Sequence, residues 1–117
     1  MIEQTKTFRQ LDNEVKKIAN VYRIYQARKE LRSINDNSPI TLVLHDHTFQ
    51  ASVVEEQRYM SIVELAIKRL LEDERRIIRN DYFLDQTLNW WCTYYSRSAY
   101  YRFKKQALNK FIAFLSI

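Results

Sequence analysis

The sequence contains no glycine and a single proline, Pro39. Glycine normally supplies the positive φ angles of tight hairpin turns, so β-hairpins are hard to close in this chain. The P-loop, the dinucleotide-binding fingerprint and the nucleophile elbow of hydrolases also need glycine for close backbone approach. The composition therefore favours an all-helical fold and argues against several classes of enzyme.

Cysteine and long apolar runs are almost as scarce. Cys92 is the only cysteine, so no internal disulfide bond can form, and its tryptophan neighbours predict a packed side chain. No apolar run approaches the roughly 18 residues of a membrane-spanning helix, and no signal peptide is evident. We therefore expect a soluble cytoplasmic protein that does not enter a membrane. Its 117 residues suit one domain, or a small domain with an extended appendage.

Positive charge is concentrated in the C-terminal half of the chain. Residues 75–110 hold eight Lys or Arg against two Asp, a net charge of +6, whereas residues 1–74 hold eleven against twelve acids, a net charge of −1. A patch of this kind neutralises phosphates and releases counterions from DNA. The distribution of charge thus points to nucleic acid as a partner of residues 75–110.

Residues 96–108 have the pattern of a capped amphipathic helix with a basic outer face. Ser96 can accept a hydrogen bond from an amide of the first turn, so the helix is predicted to begin there. Helical spacing places one set of side chains on the packing side: Tyr100, Phe103, Ala107, Phe111, Phe114 and Leu115. It places another set on the free side: Ser98, Tyr101, Arg102, Lys105 and Asn109. Lys104 falls beside the apolar stripe, where we expect its ammonium to extend outward to water.

The preceding residues predict the rest of a helix-turn-helix. Residues 71–83 begin with acids and continue with arginines, as the helix dipole favours, and form the first predicted helix. Asp85 can cap a short second segment, Gln86 to Cys92, whose Leu88, Trp90 and Trp91 would wedge under the final helix. Thr93 to Tyr95 then forms the turn.

These motifs resemble a known family of DNA readers. Leu71 to Leu115 is similar to the region-4 helix-turn-helix of bacterial sigma factors, with Ser96-Arg97-Ser98, a lysine seven residues after Ser98, and Ala107-Leu108 as in their recognition helix. A closer likeness is to ArpU-type phage transcriptional regulators and a related group of small mycoplasma proteins. In these, a Trp-rich helix precedes Tyr-Tyr-Ser-Arg-Ser and then Tyr-Tyr-Arg. The likeness covers about the last two fifths of the chain.

The resemblance implies sequence-specific binding of double-stranded DNA in transcription control. It places five side chains toward the major groove: Arg97, Ser98, Tyr101, Arg102 and Lys105. Asn109 joins them because it shares their helix face. The implied fold is all-α, with long helices in residues 1–70 followed by a helix-turn-helix of sigma region-4 type in residues 71–117. Residues 1–70 would contact RNA polymerase or a second copy. Nothing in them resembles a promoter-opening region, so the chain should not initiate transcription alone.

A second function fits the same pattern. The chain could be a DNA-binding adaptor, such as a phage packaging or assembly subunit. In that role the C-terminal helix-turn-helix tethers DNA and the N-terminal helices build an oligomer. A seam suited to helix packing runs through Phe8, Leu11, Val15, Ile18, Tyr22 and Tyr25, with Thr5 or Thr7 as its cap. The seam allows packing within the molecule or dimerisation, and its shortness predicts a monomer or a weak homodimer. Beyond Tyr25 the apolar positions move to Ile24, Ala27, Leu31 and Ile34, and residues 35–39 end the helix.

The middle of the chain offers little chemistry. Residues 40–50 are interpreted as an irregular connection, and its His45 and His47 have no cysteine or third histidine to complete a zinc site, so no metal or other cofactor is expected. A second long helix is predicted from Ser52 onward. Glu55-Glu56 and the run from Glu72 to Glu74 are adjacent acids, typical of solvated faces or helix starts rather than of an acid–base pair. No enzyme activity is predicted.

Overall fold

A computed structural model of the protein describes residues 6–34 and 52–116, and within these ranges every regular element is helical. The four α-helices are α1 (Phe8–Ile34), α2 (Val53–Lys68), α3 (Glu72–Ile78) and α4 (Arg97–Leu115). The expectation of an all-α fold is confirmed for this part of the chain. The predicted turn at residues 35–39 and the connection with both histidines lie outside the described residues.

α1 begins with a reciprocal cap. The Thr7 hydroxyl accepts a hydrogen bond from the Gln10 amide at 3.2 Å, and the Gln10 side-chain oxygen accepts one from the Thr7 amide at 2.8 Å. Of the two threonines considered, Thr7 is therefore the N-cap of α1. The apolar seam that follows packs within the molecule, because Leu11 and Val15 are buried with α2 and α4 in one core.

α2 begins where the sequence predicted a second long helix. The Ser52 hydroxyl accepts a hydrogen bond from the Glu55 amide at 3.1 Å and so caps the first turn. One side of the helix is buried, through Met60, Val63, Ala66 and Ile67. The opposite side keeps large apolar groups in solvent, including Leu65.

α3 starts near the predicted position and ends in a wider turn. The Glu74 carboxylate accepts a hydrogen bond from the Leu71 amide at 3.0 Å and closes the helix start. After Ile78 the backbone continues as a π-helical turn, Arg79–Phe83. Together the helix and the turn span the first helix predicted from the sequence, residues 71–83.

One core joins all of these elements. It is formed by buried residues from the four α-helices, the π-helical turn and the connection between α2 and α3: Leu11, Val15, Ala19, Val63, Ala66, Ile67, Leu70, Ile78, Tyr82, Ala107, Leu108, Phe111 and Ile112. Residues before and after position 70, the boundary drawn from the sequence, share this core. The orientation of α4 is thus fixed by packing of its inner side against α1 as well as against α3.

Candidate nucleic-acid interface

α4 begins at the residue that its sequence indicates. The Ser96 hydroxyl accepts a hydrogen bond from the Ala99 amide at 3.2 Å, and the Ser96 backbone is extended, as an N-cap requires. The prediction of a helix start at Ser96 is confirmed. This start sets the rotation of every later side chain around the helix axis.

The outer face of α4 presents the six predicted contact residues to solvent. All six are exposed: Arg97, Ser98, Tyr101, Arg102, Lys105 and Asn109. The Asn109 amide donates to the Lys105 carbonyl at 3.0 Å, and the Arg97 guanidinium lies 5.9 Å from the centre of the Tyr101 ring. These residues therefore share one continuous polar surface, which we name the α4 face.

Most of the other basic side chains in residues 75–110 are occupied by internal contacts. Arg75 donates to the Ile67, Lys68 and Leu70 carbonyls around the end of α2. Arg76 pairs with the carboxylates of Glu72 and Asp73. Lys104 pairs with Asp81, and Lys110 pairs with Glu74. Within the described residues, four cations of this segment make neither an ion pair nor a side-chain hydrogen bond: Arg79, Arg97, Arg102 and Lys105. Three of these four lie on the α4 face.

Asp81 holds α4 against the turn that follows α3. Its carboxylate accepts hydrogen bonds from the Trp90 indole at 2.7 Å and from the Tyr100 hydroxyl at 2.5 Å, and it pairs with the Lys104 ammonium at 3.1 Å. Burial and the hydrogen bond to Asp81 raise the pKa of Tyr100. The phenol therefore stays protonated, and continues to donate, above the pH at which an exposed tyrosine ionises.

Lys104 does not extend outward as its sequence position suggested. Its side chain is 13% exposed, and its ammonium lies between Asp81 and the rings of Phe8, Tyr82 and Tyr100. The outward prediction was wrong because the counterion lies 23 positions away, on another element. Lys104 is consequently a packing residue and not a part of the α4 face.

The segment predicted as the second helix of a helix-turn-helix is not an α-helix. Leu84 to Asn89 is irregular, with Asp85 exposed, and a single 3₁₀ turn covers Trp90–Thr93. Thr93 thus belongs to this turn instead of the connection predicted to start there. Two side chains of the segment also differ from expectation, since Leu88 is 88% exposed and Cys92 is exposed as a free thiol.

The tryptophans nevertheless pack against α4 as predicted. The Trp91 ring stacks on the Tyr100 ring, with centroids 4.4 Å apart and planes 10° apart, and the Trp90 ring meets the edge of Tyr100. The bond from Trp90 to Asp81 fixes the 3₁₀ turn from the other side. The contacts with Asp81 and Tyr100 therefore hold this segment in place, without the backbone hydrogen bonds of an α-helix over Gln86 to Cys92.

Tyr95 secures the residue before the Ser96 cap. Its hydroxyl donates to Asp73 at 2.7 Å and accepts from the Arg76 guanidinium at 3.0 Å. Burial and the hydrogen bond to Asp73 raise the pKa of Tyr95. The chain direction at the entry to α4 is thereby fixed from α3.

Tyr101 is the predicted contact residue with the most protein neighbours. It is 45% exposed, and its ring meets Phe8, Trp91 and Tyr100 at centroid distances of 6.3, 6.5 and 4.9 Å. α1 therefore borders the α4 face at Phe8. The sequence contains no local signal for this contact, because Phe8 and Tyr101 stand at opposite ends of the chain.

Two acids expected on solvated faces or at helix starts are buried. Glu56 is fully buried, with its carboxylate oxygens 3.1 Å from Arg28 and 3.4 Å from Arg32 of α1. Glu74 is 1% exposed and pairs with Lys110 of α4 at 2.9 Å, in addition to closing the start of α3. Both acids join elements of the fold, and Glu74 links α3 to the helix that carries the α4 face.

Comparison of the chain with protein-family models, curated proteins and solved structures finds no match. Within the described ranges no helix is long and apolar enough to span a membrane, and no three His, Cys, Asp or Glu residues cluster in a way that could hold a metal ion. His45 and His47 fall outside these ranges. Function must therefore be argued from the chemistry of the α4 face itself.

Proposed function

We propose that the protein is a cytoplasmic, sequence-specific DNA-binding regulator of transcription that reads the major groove with α4. The observation that carries the proposal is the location of free positive charge: Arg97, Arg102 and Lys105 make no ion pair among the described residues and share one exposed helix face. Arginine and lysine on such a face donate to phosphates and to guanine edges. Ser98, Tyr101 and Asn109 add hydrogen-bonding groups between these charges.

The surrounding scaffold supports this role. The cap at Ser96, the bonds of Tyr95 and the carboxylate of Asp81 fix the start and the rotation of α4. A fixed helix face can present its contacts in one register along the groove. If the region is compared with a helix-turn-helix, α3 and its π-helical turn correspond to the first, supporting helix. The 3₁₀ turn Trp90–Thr93 takes the position of the second helix, and α4 is the recognition helix.

The alternative function, a DNA-binding adaptor or phage packaging subunit, has less support. That role needs a large oligomer built through the N-terminal helices, and the α1 seam considered for it is used within the molecule, where Leu11, Val15 and Ala19 are buried. Regulation needs no assembly larger than a monomer or a dimer, with RNA polymerase or a second copy as the partner. We therefore place the proposal with regulation.

Selection of bound sites from a pool of random duplexes tests the proposal directly. A reader of base edges is expected to enrich a short, shared motif, and a phosphate-only contact would retain duplexes without one. A pool that shows no enrichment after repeated selection would contradict sequence-specific reading. Binding of the enriched duplex should weaken as salt concentration rises, because phosphate contacts release counterions.

A further inference from the structure

The outer face of α2 carries a set of exposed apolar side chains. Val54, Ile62 and Leu65 are 64, 45 and 46% exposed, respectively. At about 100° per residue they fall with Arg58 and Ser61 in an arc of roughly 100°, opposite the side of α2 that enters the core. We name this surface the α2 outer face. Ile62 and Leu65 are one turn apart, and Val54 lies on the same side beyond Arg58; exposed apolar groups gathered on one face mark interaction surfaces more often than scattered ones do.

Two opposite charges border the same edge of this face. Glu55 precedes Ile62 by seven positions and Arg69 follows it by seven, so the two charges are symmetric about Ile62 along the helix. Neither side chain makes an ion pair among the described residues, although Arg69 contacts the Phe114 ring at 5.6 Å. Both groups are exposed and can meet charges from outside.

A twofold axis through Ile62 makes this surface complementary to itself. When two identical helices pack antiparallel about such an axis, each position lies opposite the partner position equally far on the other side of the axis, and like edges meet. Glu55 then lies opposite the partner's Arg69, and Arg69 lies opposite the partner's Glu55. Ser61, next to the axis, is small enough to let the two helix backbones approach.

We propose that the α2 outer face is a homodimer interface in which a second copy of this chain packs antiparallel through Val54, Ile62 and Leu65. The second copy is the occupant because the charges at the edge of the face satisfy each other only after a twofold rotation. The contact is the same patch on both copies, so assembly closes at two subunits. The proposal stands apart from the proposed function, since α2 carries none of the six residues of the α4 face.

The apolar part of the proposal is tested by Leu65→Lys, with Leu88→Lys as the matched control. Leu88 is also an exposed leucine, at 88%, and lies outside the α2 outer face. In sedimentation equilibrium the parent and Leu88→Lys are expected to dimerise alike, whereas Leu65→Lys should dissociate at least about tenfold more readily, since two apolar contacts are lost per dimer. Circular dichroism of each variant checks that the helices are retained.

Charge reversal tests the antiparallel arrangement. Glu55→Lys and Arg69→Glu each place like charges opposite each other twice in a homodimer, so each alone should weaken dimerisation about three- to tenfold. A mixture of the two variants restores opposite charges in both 55–69 pairs of the heterodimer. The mixture is therefore expected to associate as tightly as the parent, which a general loss of folding in either variant would not produce.

Three results would overturn the proposal. The first is a parent protein that stays monomeric up to about 1 mM, the weak limit of specific association. The second is a Leu65→Lys variant that dimerises as the parent does. The third is a mixture of Glu55→Lys and Arg69→Glu that associates no better than either variant alone, which would reject the antiparallel pairing.

Discussion

The hydroxyl of Tyr100 donates a hydrogen bond to the carboxylate of Asp81 at 2.5 Å, and this bond ties α4 to the turn after α3. Lys104, one helical turn further along α4, pairs with the same carboxylate at 3.1 Å. Both charged side chains are only 13% exposed, so each has given up most of its hydration. The position of α4 is therefore sensitive to substitution of Asp81.

Asp81→Ala is expected to lower the free energy of unfolding by about 3–5 kcal/mol, because it removes the carboxylate that pairs with the nearly buried ammonium of Lys104. Urea denaturation followed by circular dichroism measures this loss. Asp85→Ala is the matched control, since Asp85 is exposed and should change stability by no more than about 0.5 kcal/mol. Equal stability losses in the two variants would contradict the role assigned to Asp81.

Tyr22 gives a prediction for alkaline pH. Burial and the hydrogen bond to Glu64 raise its pKa from 10.0 to about 12. An unfolded chain ionises this phenol near pH 10, and the folded chain does not, so the resulting stability is present below pH 10 and is lost as the pH rises toward 12. Tyr22→Phe removes the titrating group.

The stability of the parent should fall more steeply between pH 10 and pH 12 than that of Tyr22→Phe. Chemical denaturation at several pH values in this window measures the two slopes. Lysine deprotonation affects both proteins equally, so the difference between them isolates the tyrosine. Parallel pH profiles would show that Tyr22 titrates alike in the folded and unfolded chains.

Arg102→Ala combined with Lys105→Ala tests the α4 face. The double variant should keep its helical content and melting temperature, because both side chains are exposed, and should lose affinity for a selected duplex several-fold or more. Loss of a base-reading arginine costs about 1–3 kcal/mol, and loss of a phosphate contact lowers the salt slope by about one. Fluorescence anisotropy at two salt concentrations distinguishes these effects.

Lys17→Ala combined with Lys29→Ala is the control for that experiment. It removes the same charge from exposed positions on α1 and should leave affinity for the duplex nearly unchanged. Two outcomes would argue against α4 as the reader. One is parental affinity in the α4 variant, and the other is an equal loss in both double variants, which would indicate a response to net charge alone.

Phe111 and Phe103 are expected to differ in their contribution to stability, although both fall on the packing side of the sequence pattern. Phe111 is fully buried, whereas Phe103 is half-buried and its ring meets Tyr95 with a centroid distance of 5.7 Å. Phe111→Ala should therefore cost about 3–5 kcal/mol of unfolding free energy. Phe103→Ala should cost less than about 2 kcal/mol, because folding removes less of the half-buried Phe103 ring from water. Thermal or urea denaturation that ranks them in the opposite order would contradict this assignment.

Local patterns sufficed for the features that depend on neighbours in sequence. The caps at Thr7, Ser52 and Ser96 involve a residue three positions later, and helical spacing assigned the exposed side of α4 correctly. Absence of glycine predicted an all-helical chain, which holds across residues 6–34 and 52–116. These features follow from short-range hydrogen bonding and the 3.6-residue period.

Features that depend on distant partners were missed. Lys104 and Glu56 resembled solvated charges because Asp81 and the arginines of α1 are remote in sequence. The segment Gln86 to Cys92 resembled a capped helix, yet no α-helix forms there, and its tryptophans are fixed by Asp81 and Tyr100, which tertiary packing brings close. In each case a long-range contact decided the outcome, and a single sequence carries no direct record of such a contact.

Contacts between Phe8 and both Tyr101 and Lys104 connect α1 to α4 across almost the whole chain. During translation, α1 is synthesised long before the helix against which it packs. Its Leu11 and Val15 cannot complete their packing until Leu108 and Phe111 have emerged, so the core is completed late and depends on closing a long loop. A fragment limited to residues 71–117 would lack these partners of α4, so we expect it to be less stable than the whole chain.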